Sequence, residues 1–596
     1  MSLIPTMLER LERGSAQLLD RLAARPRLAA AALLALALFT YLPGVFLLPP
    51  VDRTEIVYAQ SSRGMLERHT WTDASYEGER FAFRPIGIYW LQAATGKALG
   101  KWSWHDIATY RLPSLIAGIL AVLATWWLTR PIIGQRRAII AAALFAVSPI
   151  VALQATLSIP EGPLLLSIVV AQLSLLRLYR ALPGERKEEP WLALAFWAAQ
   201  GFGMLLNALA VPILSLSTVA VLYVFDRRLD WLKRLRPLVG VPLMLVIAAP
   251  WILIRAHYDG VPFSGLTFGE LIRALGGAQD MKWKAAPLTF TLAFALGFLP
   301  GALLLVPALK NLWRSRSAAI ERFLFAWIVG YWLYLELIAS KPALYTVQAM
   351  FPAAAVACAL VLDREGKLAL PPYMLRLPWW ATLAGMLLLY VGGLWFAGVM
   401  PGVAVVIGAA LVTALFTLSS LAATRGLAAA WLATAVAGFA LFATFTFAVL
   451  MPHMRIGWPA PRIAEAVAPL RRCVTGPVGV VGFREPSTTF VLGRGANTNI
   501  ESIAGWMAGG DDAIAVVEDR WQPDLAKALA ARGAKAPPRL GCVEAFNVMR
   551  GCPLAFSIYN TGPDPLDPGC KIDARFTCMT PMPLAPEDSD PRSRCR

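Results

Sequence analysis

The sequence predicts a mostly α, polytopic membrane protein with about 13 transmembrane helices, followed by a C-terminal mixed α/β domain. Three observations carry this expectation. Of 596 residues, 57% are hydrophobic, 16% are charged and 21 are Trp, which is more apolar surface than a soluble domain of this length needs to bury. The apolar residues fall in runs near the roughly 20 residues that cross a bilayer core as a helix. Behind the last run the chain changes character, to shorter strand-like and helical patterns, a Pro-rich end and six of the seven cysteines.

Residues 1–27, MSLIPTMLERLERGSAQLLDRLAARPR, place leucines at helical spacing between charges and lack a small-residue cleavage site. This pattern predicts an amphipathic cytoplasmic surface helix, not a cleaved signal peptide. The membrane domain is expected over 28–451, with spans near 28–48, 111–129, 137–157, 160–179, 191–206, 209–225, 237–254, 288–308, 323–339, 343–362, 379–398, 402–422 and 427–451. Alternate connections are basic: Arg130, Arg136 and Arg137; Arg180, Arg186 and Lys187; Arg227, Arg228, Lys233, Arg234 and Arg236; Lys310, Arg314 and Arg316; Arg364 and Lys367; Arg425. The positive-inside rule assigns these to the cytoplasm. The same placement accounts for the net charge of +17 without a nucleic-acid partner, because the cations sit in short loops between apolar runs and not on one face of a soluble domain.

An odd span count then puts the tail, 452–596, outside the cytoplasm. Cysteine usage points the same way. Cys358 lies within a span and behaves as a small apolar residue, whereas Cys473, Cys542, Cys552, Cys570, Cys578 and Cys595 all follow the last span. An even set confined to one tail predicts three disulfides in an oxidising compartment, drawn from fifteen possible pairings. The spacings lack a CxxC pair, which argues against zinc. Within the tail VGVVGF, TTFVLG and AIAVVE are strand-like and LAKALAARG is helical.

The chemistry is expected in the outward connections, since charged groups cost several kcal/mol inside hydrocarbon. Loop 1, residues 49–110, holds VDRTEIVYAQSSRGMLER and RPIGIYWLQ. The turn SIPEGP covers 158–163, a longer loop covers 255–287 with His257, Asp259 and GELIRALGGAQDMKWK, and SKPALY covers 340–345. These are expected to converge on the outer face. His257 has no metal-ligand spacing around it and reads as structural.

Several of these residues resemble, in order, the lipid A aminoarabinose transferase and protein O-mannosyltransferase superfamily of integral membrane glycosyltransferases. Asp52, Glu55, Tyr58, Arg63 and Met65 match its loop 1 pattern, followed by Arg84, Pro85, Tyr89 and Trp90. The similarity continues through YRLPS at 110–114, Glu161 in SIPEGPLL, LGGAQD at 275–280, and Lys341 with Tyr345 before Pro352, over roughly residues 28–360. The chain departs from the pattern where Thr54-Glu55 replaces an adjacent acidic pair, Arg84 a lysine, Glu161 an aspartate and Ile159 a lysine.

The resemblance implies a GT-C fold with periplasmic amphipathic helices, and an inverting glycosyltransferase embedded in membrane lipids. It would move a sugar from a polyprenyl-phosphate donor to a lipid A, lipopolysaccharide or other envelope acceptor at the periplasmic face of a bacterial inner membrane, with no cofactor or metal required. No P-loop or Rossmann glycine pattern opens a helix after a strand. Displacing a lipid phosphate develops negative charge that needs fixed cations, for which Arg84 and Lys341 are the candidates, with Arg63 a further substrate-binding residue. A hydroxyl acceptor needs a carboxylate base, first Glu55 and second Asp52; an ionised phosphate acceptor would need none, and the carboxylates would then orient the sugar. Glu161 would hold sugar hydroxyls or stiffen loop 1, and Tyr58, Tyr89, Trp90 and Tyr345 would stack on the sugar or bind lipid phosphate. The rival readings are solvated boundary carboxylates, snorkelling cations and belt aromatics, in a non-catalytic relative that binds the lipid-linked sugar as an assembly partner. A lipid or sugar transporter would need ionisable residues at mid-span, whereas Glu336 falls near the outer end of its span.

Overall fold

The computed structural model describes residues 3–53, 55–76, 79–80, 85–180, 190–259, 286–338, 344–364, 367–375, 387–388, 391, 402–493, 495–547, 551–562 and 569–576. The chain forms two compact units. The first comprises Met1–Leu47, Ser61–Lys101 and Asp106–Val449; the second comprises Leu48–Gln60, Trp102–His105 and Leu450–Arg596. The start of loop 1 therefore belongs with the tail, a grouping that hydropathy does not reveal.

Helices dominate the first unit: α1 (Leu3–Ala24), α2 (Pro26–Leu47), α3 (Ile56–Arg68, begun in the second unit), α4 (Gly87–Leu99), α5 (Ile107–Ile133), α6 (Gln135–Ala146), α7 (Pro149–Thr156) and α8 (Glu161–Arg180). They continue as α9 (Pro190–Asn207), α10 (Ala210–Asp226), α11 (Pro237–Asp259), α12 (Thr289–Gly297), α13 (Leu305–Arg314), α14 (Ala319–Leu337), α15 (Phe351–Leu362), α16 (Val403–Thr424) and α17 (Ala428–Phe445). Among the described residues six helices are long and apolar enough to cross a membrane, or eight spans if each of two bent pairs is one. The bends are 65° between α6 and α7 and 110° before α13. Each break carries a proline, Pro149 or Pro300, which lacks the N–H that would continue the helical ladder. Windows 209–225 and 343–362 hold shorter apolar helices, and 379–398 lies almost wholly outside the described residues.

Helix α1 buries Leu8 and Leu19. Its Glu12 accepts hydrogen bonds from Ala429 N and Ala430 N at 3.2 and 2.7 Å, placing a carboxylate on the positive end of α17. At the other end of the first span, the fully buried Arg111 on α5 donates Nη1 to the Val45 carbonyl at 3.0 Å, satisfying a carbonyl that the end of α2 leaves free. Pro49 and Pro50 then stop the helix and release the polar turn that follows.

The second unit is built on a four-stranded sheet of β1 (Val478–Val481), β2 (Ile514–Glu518), β3 (Gly541–Asn547) and β4 (Cys552–Asn560), in the order β1-β2-β4-β3. The β1–β2 pair is parallel; β2–β4 and β3–β4 are antiparallel. Around it lie α18 (Pro459–Val467), α19 (Pro486–Leu492), α20 (Ile500–Gly509) and α21 (Gln522–Ala530). Strand β2 is buried on both faces. Ile514 and Val516 pack with Ile463, Val480 and Phe556, while Ala515 and Val517 pack with Ile503 and Leu525, so the strand reads as one continuous apolar run.

The tail corrects one expectation: TTFVLG is not a strand but most of α19. Pro486 opens that helix after an extended Glu485, and Thr488, Thr489, Phe490 and Leu492 are all buried, so packing overrides the β-branched composition. Strands β3 and β4 form a hairpin that the composition does not announce. Cys473 bonds Cys570 across 97 residues with their Cα atoms 6.3 Å apart. Cys542 and Cys552 each take part in a disulfide as well; Cys578 and Cys595 lie outside the described residues. Because the Cys473–Cys570 link closes a long loop, Cys473→Ser with Cys570→Ser is expected to cost roughly 3–5 kcal/mol. Chemical unfolding of the full-length protein with and without the pair, followed by the signal of the second unit, measures this; an unchanged midpoint contradicts it.

Candidate functional site

The turn after the first span is organised by its own carboxylates. Glu55 is fully buried. Its Oε2 accepts from Val51 N at 3.1 Å, closing residues 51–55 into a turn, and its carbonyl accepts from Tyr58 N and Ala59 N at 3.1 and 3.2 Å, starting α3. Tyr58 is buried on the first turn of that helix. One sequence-predicted carboxylate thus shapes the loop from inside.

The other stands at its surface. Asp52 is half-buried, and its Oδ1 accepts from Ser487 N at 2.8 Å, one of the orphan N–H groups in the first turn of α19. The next residue, Arg53, adopts a left-handed φ of 57°, which for a residue with a Cβ costs of order 1 kcal/mol. A forked ion pair holds it there: Arg53 Nε and Nη2 donate to Glu485 Oε2 and Oε1 at 2.7 and 2.9 Å. Glu485 is 2% exposed and Arg53 47%. Asn547 adds a long contact to the same carboxylate at 3.5 Å.

This surrounding sets the acidity of Asp52. Burial raises its pKa from 3.8 to about 6, partly offset by the Ser487 hydrogen bonds, with Glu485 pushing up and Arg53 pulling down. The Glu485 hydrogen bond in turn pushes the Arg53 guanidinium up. A carboxylate with a pKa near 6 is ionised at neutral pH yet basic enough to accept a proton. Arg53, Glu485 and Ser487 have no motif that marks them in the sequence; they are recognisable only because the fold brings positions 432 and 435 residues apart into contact.

In the first unit a buried polar chain joins the other segments that the sequence singles out. Ser62 Oγ donates to Gln92 Oε1 at 2.7 Å, and Gln92 Nε2 donates to the Ser158 carbonyl at 3.0 Å. Ser114 Oγ donates to the Ile159 carbonyl at 3.1 Å, and Gln348 Nε2 to the Glu161 carbonyl at 3.4 Å. Gly162 lets this turn close: a Cβ there would stand 2.9 Å from Ser114 Cβ and 3.0 Å from the Gln154 carbonyl oxygen. Glu161 is buried at the first turn of α8. Arg63 is buried and donates Nε to Glu67 Oε1 at 2.7 Å. Tyr89 is fully buried, and Trp90 Nε1 donates to the Trp71 carbonyl at 2.7 Å. Arg84, Lys341, Thr54, LGGAQD and the side chain of Tyr345 lie outside the described residues.

Two expectations follow. Arg53→Ala leaves Glu485 buried without its cation and lowers the stability of the second unit by about 1–2 kcal/mol; adding Glu485→Gln restores part of the loss, as a thermal-melting double-mutant cycle will read. Asp52→Asn keeps the hydrogen-bond acceptor but removes a charge that the fold disfavours. The Asp52 contribution to stability is fully present below about pH 3.8 and is lost as pH rises through about 6. The variant should therefore melt higher than the parent at pH 7 and equally at pH 3.5; equal melting at both contradicts the raised pKa.

The family model described as dolichyl-phosphate-mannose-protein mannosyltransferase matches residues 84–254. The undecaprenyl phosphate-alpha-4-amino-4-deoxy-L-arabinose arabinosyl transferase of Pectobacterium carotovorum is 27% identical over 355 residues, 58% of this chain and 61% of the relative. That of Aeromonas salmonicida is 30% identical over 338 residues, 54% of this chain and 59% of the relative. The matches thus span about three-fifths of the curated relatives' length. The crystal structure of ArnT from Cupriavidus metallidurans bound to undecaprenyl phosphate superposes with a TM-score of 0.63 at 19% identity, covering 89% of this chain and 97% of that one, so the fold is shared. In motif order, sequence similarity and fold, the chain resembles the GT-C membrane glycosyltransferases, a group that includes the aminoarabinose transferases and the protein mannosyltransferases.

Proposed function

We propose that this protein is an inverting glycosyltransferase that moves a sugar from a polyprenyl-phosphate donor to lipid A, lipopolysaccharide or another envelope acceptor at the periplasmic face of a bacterial inner membrane. The observation that carries the reading is the Asp52 carboxyl, held by Ser487 N beside the Arg53–Glu485 fork in the polar turn that follows the first apolar helix in sequence, where burial raises its pKa to about 6. The relatives support the donor class, since they are named as undecaprenyl phosphate-aminoarabinose transferases. In the topology that goes with it, thirteen spans run over 28–451, residues 1–27 lie on the cytoplasmic surface and 452–596 are periplasmic.

In the proposed step the acceptor hydroxyl oxygen forms a bond to the anomeric carbon while the bond from that carbon to the phosphate oxygen breaks. The configuration inverts, the hydroxyl proton passes to Asp52, and the polyprenyl phosphate leaves with the electron pair. Arg84 and Lys341 supply positive charge for the leaving phosphate. Glu55 is assigned a positioning role: its side chain already accepts the Val51 N–H that closes the turn. Glu161, Arg63, Tyr58, Tyr89, Trp90 and Tyr345 remain candidates for holding the sugar and the lipid phosphate.

The decisive experiment is mass spectrometry of envelope lipids and polysaccharides from cells with and without the protein, followed by transfer assays on purified variants. Loss of a single sugar mass identifies the transferred unit. Asp52→Asn should lower transfer by at least 100-fold, and the parent rate should rise with pH through about 6 and then level, because the ionised carboxylate is the active form. Arg84→Ala should lower transfer at least 10-fold. Full transfer by both variants would overturn the proposal.

A further inference from the structure

Beyond the carboxyl ends of the parallel strands β1 and β2, the second unit contains a cavity of about 600 Å³. In open α/β sheets this is where ligands bind, because the loops leaving parallel strands diverge there and expose backbone and side-chain polar groups around a concave floor. The wall includes Gly482 and Glu485 from the loop after β1, Asn499 at the start of α20, Glu518 at the end of β2, Trp521 and Asn547. Its floor is apolar, with Val481, Phe483 and Leu554 buried.

Two features show that the cavity is built into the fold. Gly482 has a φ of 91°, and a Cβ there would stand 2.5 Å from Glu518 Cβ and 2.8 Å from Trp521 Cδ1, so glycine is what lets the strand end approach the indole. The wall carboxylates are ion-paired, Glu518 with Arg520, which also lines the cavity. Glu518 receives Arg520 Nε at 2.5 Å, Glu485 receives the Arg53 fork, and Glu501 at the rim receives Arg532 at 2.6 Å. The exposed Arg484 stands at the mouth. What remains is an apolar space with one half-buried indole, planar hydrogen-bonding groups whose carboxylates are ion-paired, and the exposed Arg484 guanidinium at the rim.

A pyranose ring has that complementary chemistry: an apolar C–H face for an aromatic ring, and equatorial hydroxyls for carboxylate and amide groups. We propose that this cavity binds a saccharide of one or two rings, stacked on Trp521 and hydrogen-bonded by Glu518, Asn499 and Asn547. Resting on the transfer reading above, the saccharide is the glycan part of the acceptor, since the wall residue Glu485 is the one that holds Arg53 next to Asp52.

The test uses the full chain in lipid nanodiscs free of glycoside detergent, whose sugar headgroups would compete. N-acetylglucosamine and its β-linked disaccharide are titrated without donor and followed by saturation-transfer NMR, with decanoate and inorganic phosphate as alternative probes. Both sugars should receive saturation. Trp521→Ala should weaken their binding at least 10-fold, Trp521→Phe less, and Glu518→Gln several-fold. Failure of both sugars to bind, unchanged binding in Trp521→Ala and Glu518→Gln, or occupation by decanoate or phosphate alone with the same sensitivity would overturn the proposal. The two readings separate cleanly. If Trp521→Ala loses the sugars while transfer continues at the parent rate, the acceptor assignment is wrong and the transfer reading stands. If the parent binds sugars without transferring any, the saccharide site stands and the transfer reading falls.

Discussion

A forked ion pair between side chains 432 residues apart, Arg53 and Glu485, holds the turn on which the candidate chemistry depends. Without a partner, a buried Glu485 would be an uncompensated charge and Arg53 would have no reason to keep its left-handed backbone. With the pair in place, Asp52 is pinned one residue away, hydrogen-bonded to Ser487 and close enough to Glu485 to feel its charge. The acidity of Asp52 is therefore a property of the assembled second unit, not of loop 1.

The two carboxylates of the turn sit in different surroundings. Glu55 is fully buried and accepts a backbone hydrogen bond within its own turn. Asp52 retains partial access to solvent and pays for its position with a raised pKa. Groups held away from their ordinary protonation equilibrium concentrate at functional sites, because a fold selected only for stability would not keep them there. The same logic separates the aromatics: Tyr89 is buried among helices, whereas Trp521 in the second unit keeps a face toward a cavity.

The first unit solves a different problem. Inside an apolar helix assembly polar side chains need partners within the protein, and Ser62 and Gln92 find them in each other and in the Ser158 carbonyl, linking α3, α4 and the turn before α8. Arg111 does the same at the end of α2, where it satisfies the Val45 carbonyl. These hydrogen bonds keep loop residues at defined places on a scaffold whose packing is otherwise non-directional.

Hydrophobic runs, basic connections and the crowded polar loop were legible in the order of residues, because bilayer thickness and the cost of burying charge act on local composition. The family pattern through Asp52, Glu55, Arg84, Glu161 and Lys341 was legible because each of its pieces is a short motif inside one connection and the pieces recur in a fixed order. Tertiary structure alone decided that TTFVLG is helical, that 48–60 group with the tail, and that burial raises the pKa of Asp52. Those outcomes depend on contacts with Glu485 and Ser487, and neither burial nor charge pairing across more than 400 residues leaves a periodic trace along the chain.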